Sequence, residues 1–314
     1  MEEQVNRLVQ KTWGAAPRPS IPSPCLCVAG HLADQTNPAV GCFFVTDRLQ
    51  QLNASARLLI AISGIPGSGK TKLAGAVARG VNERYHAASA LKYPNSAAGG
   101  GPWRPDVARV VPLDGFHLTR AQLQALPDAD EAVFRRGAAF TFDAAKFVAV
   151  VRRVRAPIGP ETTTIYAPSF DHAVKDPVDD DVAIPRTARV VIFEGLYAAL
   201  DRAPWRDAAQ LMDELWFVHV AVDVATERLV NRHVASGISP TAEHARVRVL
   251  ASDMRNGREI LAERLEVHEL VQSVEDDGWK PEPVTAAEQS DEAHPHRLER
   301  LDSLAELAHN VGGI

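Results

Sequence analysis

The sequence predicts an α/β fold: a three-layer α/β/α sandwich on a five-stranded parallel sheet, with a helical lid. Three observations predict it. At 57–79, RLLIAISGIPGSGKTKLAGAVAR, a glycine-rich loop joins an apolar run to a helix-like pattern. Short apolar runs without clean alternation recur along the chain, as in strands buried on both faces. Helix-period segments separate those runs, which implies right-handed crossovers into a parallel sheet.

The elements follow in order. Val5, Leu8, Val9 and Trp13 share one helical face, so 1–13 reads as an amphipathic docking helix. Residues 14–55 are rich in proline, hold Cys25, Cys27 and Cys42, and show neither period. A loop of that length is unusual inside a compact domain, so the segment reads as a poorly ordered insertion. Strands are expected at 57–63, 109–113, 189–194, 215–222 and about 269–275. Helices are expected at 70–84, 119–126, 143–154, 224–235 and 241–264. The Ala-, Gly- and Pro-rich stretch 87–105 reads as a surface loop. Turn residues and a short β-like piece, Thr162 to Tyr166, mark 156–187 as an inserted hairpin or lid. The main domain therefore spans 56–278, and 279–314 reads as a polar tail with a weak amphipathic helix at 297–309.

Gly64, Gly69, Lys70 and Thr71 stand at the spacing G-x-x-x-x-G-K-[ST], with Ile65, Pro66, Gly67 and Ser68 between. Strand, glycine loop and helix is the context that makes this pattern a phosphate site. Glycines let backbone N–H groups turn inward around a phosphate, and the helix N-terminus adds partial positive charge. Lys70 would reach the outer phosphates, and Thr71 would hold Mg²⁺. The pattern implies that a nucleotide's phosphates bind here.

Asp114 ends the second strand, where ligands of open parallel sheets bind. It could accept the proton of an attacking hydroxyl, or cap the following helix. Glu194 ends the third strand, a position able to bind Mg²⁺ with Thr71 and Asp114; the alternative is a buried glutamate paired with a neighbour. Arg228 and Arg232 are four apart on one helical face, within a lid at about 224–240. They suit phosphate oxygens, or else form a solvated face with Glu227 as partner. An insertion at about 135–187 mixes Arg, aromatic, Asp and His residues on loops, as a polar small-molecule pocket needs. Arg136, Tyr166, Phe170, Asp171 and His172 are its candidates, with His117 of DGFH beside them. Asp143 fits equally as a helix N-cap, and Asp176-Pro177 as a turn.

Composition sets limits. The 314 residues suit one large domain or two smaller ones; hydrophobic content of 46% and charged content of 24% are ordinary for a globular protein. A net charge of -6 and no basic stripe argue against nucleic acid. No apolar run approaches the ~20 residues of a membrane span. The acidic start MEEQ and three cysteines without zinc spacing point to a reducing, cytoplasmic setting; a metal at Cys25-x-Cys27 is disfavoured. A homodimer is compatible with the chain.

The ordered set LDGFHL, RRGAAFTFD, YAPSFDHAVKDP, FEGLY and ERLVNRHVASG resembles the uridine kinase, phosphoribulokinase and pantothenate kinase family of P-loop small-molecule kinases. Within that family it is similar to a nucleoside/fructose-type branch, over about residues 57–275. The resemblance implies an ATP-dependent phosphotransferase acting on a small hydroxyl-bearing substrate, with Mg²⁺. It implies Asp114 as catalytic base, Thr71 and Glu194 as metal residues, and Arg228 and Arg232 over ATP. Arg136, Tyr166 and His172 would approach the acceptor, and Asn256-Gly257 would lie near the adenine. Lys72 departs from a second Thr or Ser, and Ala138 from a Pro. The competing readings are a regulatory NTPase, disfavoured because neither D-x-x-G nor N-K-x-D occurs, and a nucleotide-binding protein with weakened catalysis.

Overall fold

In chain order the elements are α1 (Glu2–Trp13), β1 (Leu58–Gly64), α2 (Lys70–Lys92), β2 (Ala108–Pro112), α3 (Arg120–Gln124), α4 (Ala129–Phe134), α5 (Ala144–Arg155), β3 (Ile165–Asp171), β4 (Asp176–Ile184), β5 (Val190–Glu194), α6 (Trp205–Ala209), β6 (Glu214–His219), α7 (Val222–Ala235), α8 (Ala242–Arg248), α9 (Met254–Glu263) and β7 (Glu269–Gln272). The computed structural model describes residues 1–13, 52–92 and 105–274. Met1–Ser273 form one unit and Val274–Ile314 a second, of which only Val274 is described. The insertion read at 14–55, apart from its last four residues, and the tail read at 279–314 lie outside the described residues.

Five strands form the central sheet in the order β2-β5-β1-β6-β7, and every neighbouring pair is parallel. The α/β sandwich expectation holds. All residues of β1 and β5 are buried, so helices must cover both faces, which explains why neither strand alternates in sequence. The larger core packs Phe147, Phe193, Tyr197 and Trp205 against one another. The register sets Ile62 and Pro112 on either side of Glu194, and Gly64 beside Val218. Three strand ends therefore open on one edge of the sheet.

Helix α1 closes the other flank. Leu8 and Val9 are buried, and Val9 lies so close to Gly80 of α2 that a Cβ on Gly80 would come within 2.7 Å of it. Lys11 reaches Glu214 at 2.9 Å and Glu269 at 2.6 Å, and Arg7 reaches Glu269 at 2.8 Å. The Gln4 side chain donates to Gln272 O and accepts from Gln272 N, so it pairs the free edge of β7.

Several local expectations change. Helix α2 runs to Lys92, so part of the expected loop 87–105 is helix; its Ala-rich end favours that state. The stretch 241–264 divides into α8, a π-turn at Val249–Asp253 and α9. The β-like piece proves to be β3, which begins at Ile165 and pairs antiparallel with β4. Short helices α4 and α6 carried no readable period. Asp143 is an N-cap, its Oδ1 accepting from Lys146 N at 2.8 Å. No described helix is long and apolar enough to cross a membrane.

Candidate active site

The loop 64–71 wraps where β1 meets α2. Gly67 (φ +78°) and Gly69 (φ +90°) occupy backbone space that favours glycine. A Cβ on Gly67 would lie 2.8 Å from Ala225 O, so the loop also needs glycine to lie against α7. Arg228 of α7 fixes the contact: its Nη1 donates to Gly67 O (3.1 Å) and Ser273 Oγ (2.9 Å). Gly257 of α9 packs beside Ile65 and Pro66 from another direction.

Behind the loop lies a charged cluster. Thr71 Oγ1 donates to Glu194 Oε2 at 3.2 Å. Burial pushes the Glu194 carboxyl up to about 7; Lys70 opposes the shift, Asp114 adds to it, and the Thr71 hydrogen bond opposes it. Burial lowers the Lys70 ammonium, while Glu194 and Asp114 raise it and Arg232 lowers it. Four groups from three parts of the fold thus act on one another: Lys70 and Thr71 at the start of α2, Asp114 just past β2, and Glu194 ending β5. Arg232 joins them electrostatically from α7.

This arrangement fits Mg²⁺. The ion takes oxygen ligands, keeps much of its water and uses one or two protein groups beside substrate phosphates. A hydroxyl and a carboxylate oxygen 3.2 Å apart supply such a pair, and the raised proton affinity of Glu194 marks a buried carboxylate in want of positive charge. Among the described residues no cluster of three or more His, Cys, Asp and Glu forms a protein-only cage.

The neighbouring part of the site is built on the 3₁₀ turn Leu113–Phe116. Gly115 lies under the hairpin β3–β4: a Cβ there would come within 2.1 Å of Pro168 O. His117 Nδ1 is 2.8 Å from Asp114 O, and its ring lies 3.9 Å from Phe142 and 5.1 Å from Phe170 between centroids. His172 sits 5.3 Å from Phe170. Asp114, His117, Phe170 and His172 are therefore brought together.

Other candidates take different places. Arg136 holds the hairpin, donating to Leu118 O, Lys175 O and Asp176, with its guanidinium over Phe170. Asp171 caps the hairpin turn, accepting from Ala173 N and Val174 N. Asp176, read as a turn residue, opens β4 and accepts from Arg120 N as well as Arg136. Tyr166 lies on β3 beyond the irregularity at 167–169 and is 42% exposed. Buried Asn256, expected near adenine, accepts from Arg135 Nη2 at 2.7 Å. Lys72 is exposed in the first turn of α2. Glu227 pairs with Arg246.

Sequence reasoning missed Arg135, Tyr197 and Ser273. Tyr197 Oη donates to Gly137 O at 2.8 Å, and with the Arg135–Asn256 bond it pins the RRG loop to its surroundings. Arg135 and Tyr197 lay inside quoted motifs; Ser273, past the last strand, offered no signal.

A five-stranded parallel sheet with this loop, an acidic residue at each of two neighbouring strand ends and an arginine-bearing helix defines a P-loop nucleotide-binding protein. No protein-family model matches the chain. It is 53% identical over 159 residues to the ATP-dependent kinase-like protein notR′ of Aspergillus versicolor, covering 51% of this chain and 92% of that one. It is 36% identical over 208 residues to “Putative uridine kinase C227.14” of Schizosaccharomyces pombe, covering 66% of this chain and 80% of that one. The crystal structure titled “putative fructose transport system kinase from Silicibacter sp. TM1040” is similar with a TM-score of 0.55 and 29% identity, over 68% of this chain and 89% of that one. The chain belongs to the uridine kinase-like family of P-loop kinases.

Proposed function

We propose that this chain is an ATP-dependent phosphotransferase that moves the γ-phosphoryl group to a hydroxyl of a small metabolite of nucleoside, pantothenate or sugar type. The convergence of Lys70, Thr71, Glu194 and Asp114 at neighbouring strand ends carries the reading. Loop amides and Lys70 hold the phosphates. Thr71 and Glu194 would hold Mg²⁺, which supplies charge neutralisation at the phosphates. Asp114 orients the acceptor hydroxyl and accepts its proton. Arg232 faces the charge that builds in transfer, and Arg228 keeps the loop in shape. Most of the rate gain comes from positioning and electrostatics.

The kinase domain in this reading spans 56–278, with the lid at about 224–240 and the acceptor-site insertion at about 135–187. Support for ATP as donor comes from relatives named ATP-dependent kinases. Support for a nucleoside acceptor comes from the name of the fission-yeast relative.

A coupled ADP-release screen over nucleosides, sugars and vitamins tests the reading. The acceptor should stimulate ADP release, and Asp114→Asn should keep ATP affinity while losing that stimulation. Near-normal turnover in Asp114→Asn would remove Asp114 as base. Turnover indifferent to every acceptor would favour a switch NTPase.

A further inference from the structure

Resting on that ATP-dependent reading, we propose that Ser273 is a positioning residue of the nucleotide site: its hydroxyl sets Arg228 against the phosphate loop, and helix α1, by clamping β7, sets Ser273.

The contact at the loop is direct. Arg228 Nη1 carries two hydrogens and donates to Gly67 O (3.1 Å) and to Ser273 Oγ (2.9 Å). Held by one of these acceptors alone, Nη1 at the end of a long side chain can swing away; held by both, it is fixed. Gly67 and Gly69 are the loop residues with positive φ, so the shape of the loop turns on them. Arg228 holds the first. Ser273 borders the second: a Cβ on Gly69 would lie 3.9 Å from Ser273 Oγ. A shift of Ser273 therefore moves the guanidinium that holds Gly67.

Ser273 is in turn held by the strand before it. It follows Gln272, the last residue of β7, a four-residue strand at the edge of the sheet. Its N–H donates to His219 O at the end of β6 (2.7 Å), which secures one side. On the other side β7 has no strand partner among the described residues, and so short an edge needs cover. Helix α1 supplies it. Gln4 bonds both the N–H and the C=O of Gln272, each at 3.0 Å, as a neighbouring strand would. Arg7 and Lys11 hold Glu269, at 2.8 Å and 2.6 Å, at the start of β7. The lengths match: from Gln4 to Lys11 a helix rises about 10 Å, and from Glu269 to Gln272 a strand rises about 10 Å. Helix α1 thus runs antiparallel to β7 and grips both its ends. A line of polar contacts joins α1 to β7, Ser273, Arg228 and Gly67 O.

Isothermal titration calorimetry of the full chain with ATP and Mg²⁺, with no acceptor present, tests the proposal. Ser273→Ala should raise the Kd for ATP about tenfold, the size of one hydrogen bond to a charged group, and Ser273→Thr, which keeps the hydroxyl, should stay within about twofold of the parent. An unchanged Kd in Ser273→Ala, or a Ser273→Thr as weak as Ser273→Ala, overturns the proposal and leaves the ATP-dependent reading standing. A parent that binds no ATP overturns both. Because Ser273 acts through Arg228, Arg228→Met and the double variant Arg228→Met/Ser273→Ala should agree within about twofold. Additive losses overturn the positioning role. Gln4→Ala should raise the Kd about threefold, with no further cost in the Ser273→Ala background. An unchanged Kd in Gln4→Ala overturns the part assigned to α1. Thermal unfolding of the same variants separates a purely structural role: a lowered Tm with the parent's Kd overturns the proposal.

Discussion

Gly115→Ala probes the contact between the Leu113–Phe116 turn and the β3–β4 hairpin. A Cβ at Gly115 would lie 2.1 Å from Pro168 O, 2.6 Å from Pro168 C and 3.0 Å from Ser169 N. All three atoms belong to the backbone of β3, which cannot swing aside as a side-chain tip can. Overpacking typically costs about 1–3 kcal/mol, and a backbone obstacle this close belongs at the upper end. At roughly 2–4 °C per kcal/mol for a domain of this size, Tm should fall by roughly 6–12 °C. Gly75→Ala is the matched control. Gly75 lies inside α2, and its added Cβ would meet only the flexible Arg79 Nη1, at 3.5 Å. There alanine gains roughly 0.5–1 kcal/mol of helix propensity, so Tm should rise by roughly 1–4 °C. Thermal unfolding followed by circular dichroism reads both variants. A Gly115→Ala Tm within about 2 °C of the parent would refute the reasoning, because it would show that turn and hairpin separate at little cost.

Glu194 gives a pH prediction. Its folded value of about 7 lies above the ordinary 4.5, so the folded state holds that proton more tightly than the unfolded one. Its contribution to stability is fully present below pH 4.5 and is lost as pH rises through about 7. The shift corresponds to at most about 3 kcal/mol. Urea unfolding across that window should show Glu194→Gln with a flatter pH slope than the parent; equal slopes would count against the burial account. Asn256→Ala removes the acceptor for buried Arg135 and should cost about 1.5–3 kcal/mol in urea unfolding, the range for a hydrogen bond to a charged group. A loss under about 0.5 kcal/mol would show that Arg135 finds another partner.

The strands and main helices were legible because each is a short apolar run or a 3.6-period segment bounded by turn residues. The phosphate loop was legible because its chemistry needs glycines, a lysine and a hydroxyl at fixed offsets within eight residues. Asp143 as a cap was a local rule as well. Helices α4 and α6 were not legible: each is too short to display a period. Arg136 and Asn256 were legible as polar residues in motif-bearing stretches, but their partners were not. Lys175, Asp176 and Arg135 lie far along the chain or across a hairpin from them, and only folding decides which of several acceptors each donor meets.

By itself the sequence determined the α/β class, the strand order of reading and the phosphate loop, because local spacing and burial pattern suffice for these. Tertiary structure decided which charged groups face the site and which hold the scaffold. Glu194 and Asp114 meet Lys70 through the register of three parallel strands. Arg136 is tied to the hairpin through Asp176, and Arg228 is drawn to Gly67 O. Long-range hydrogen bonding in a space where every buried polar group needs a partner made those choices, and no local pattern encodes them.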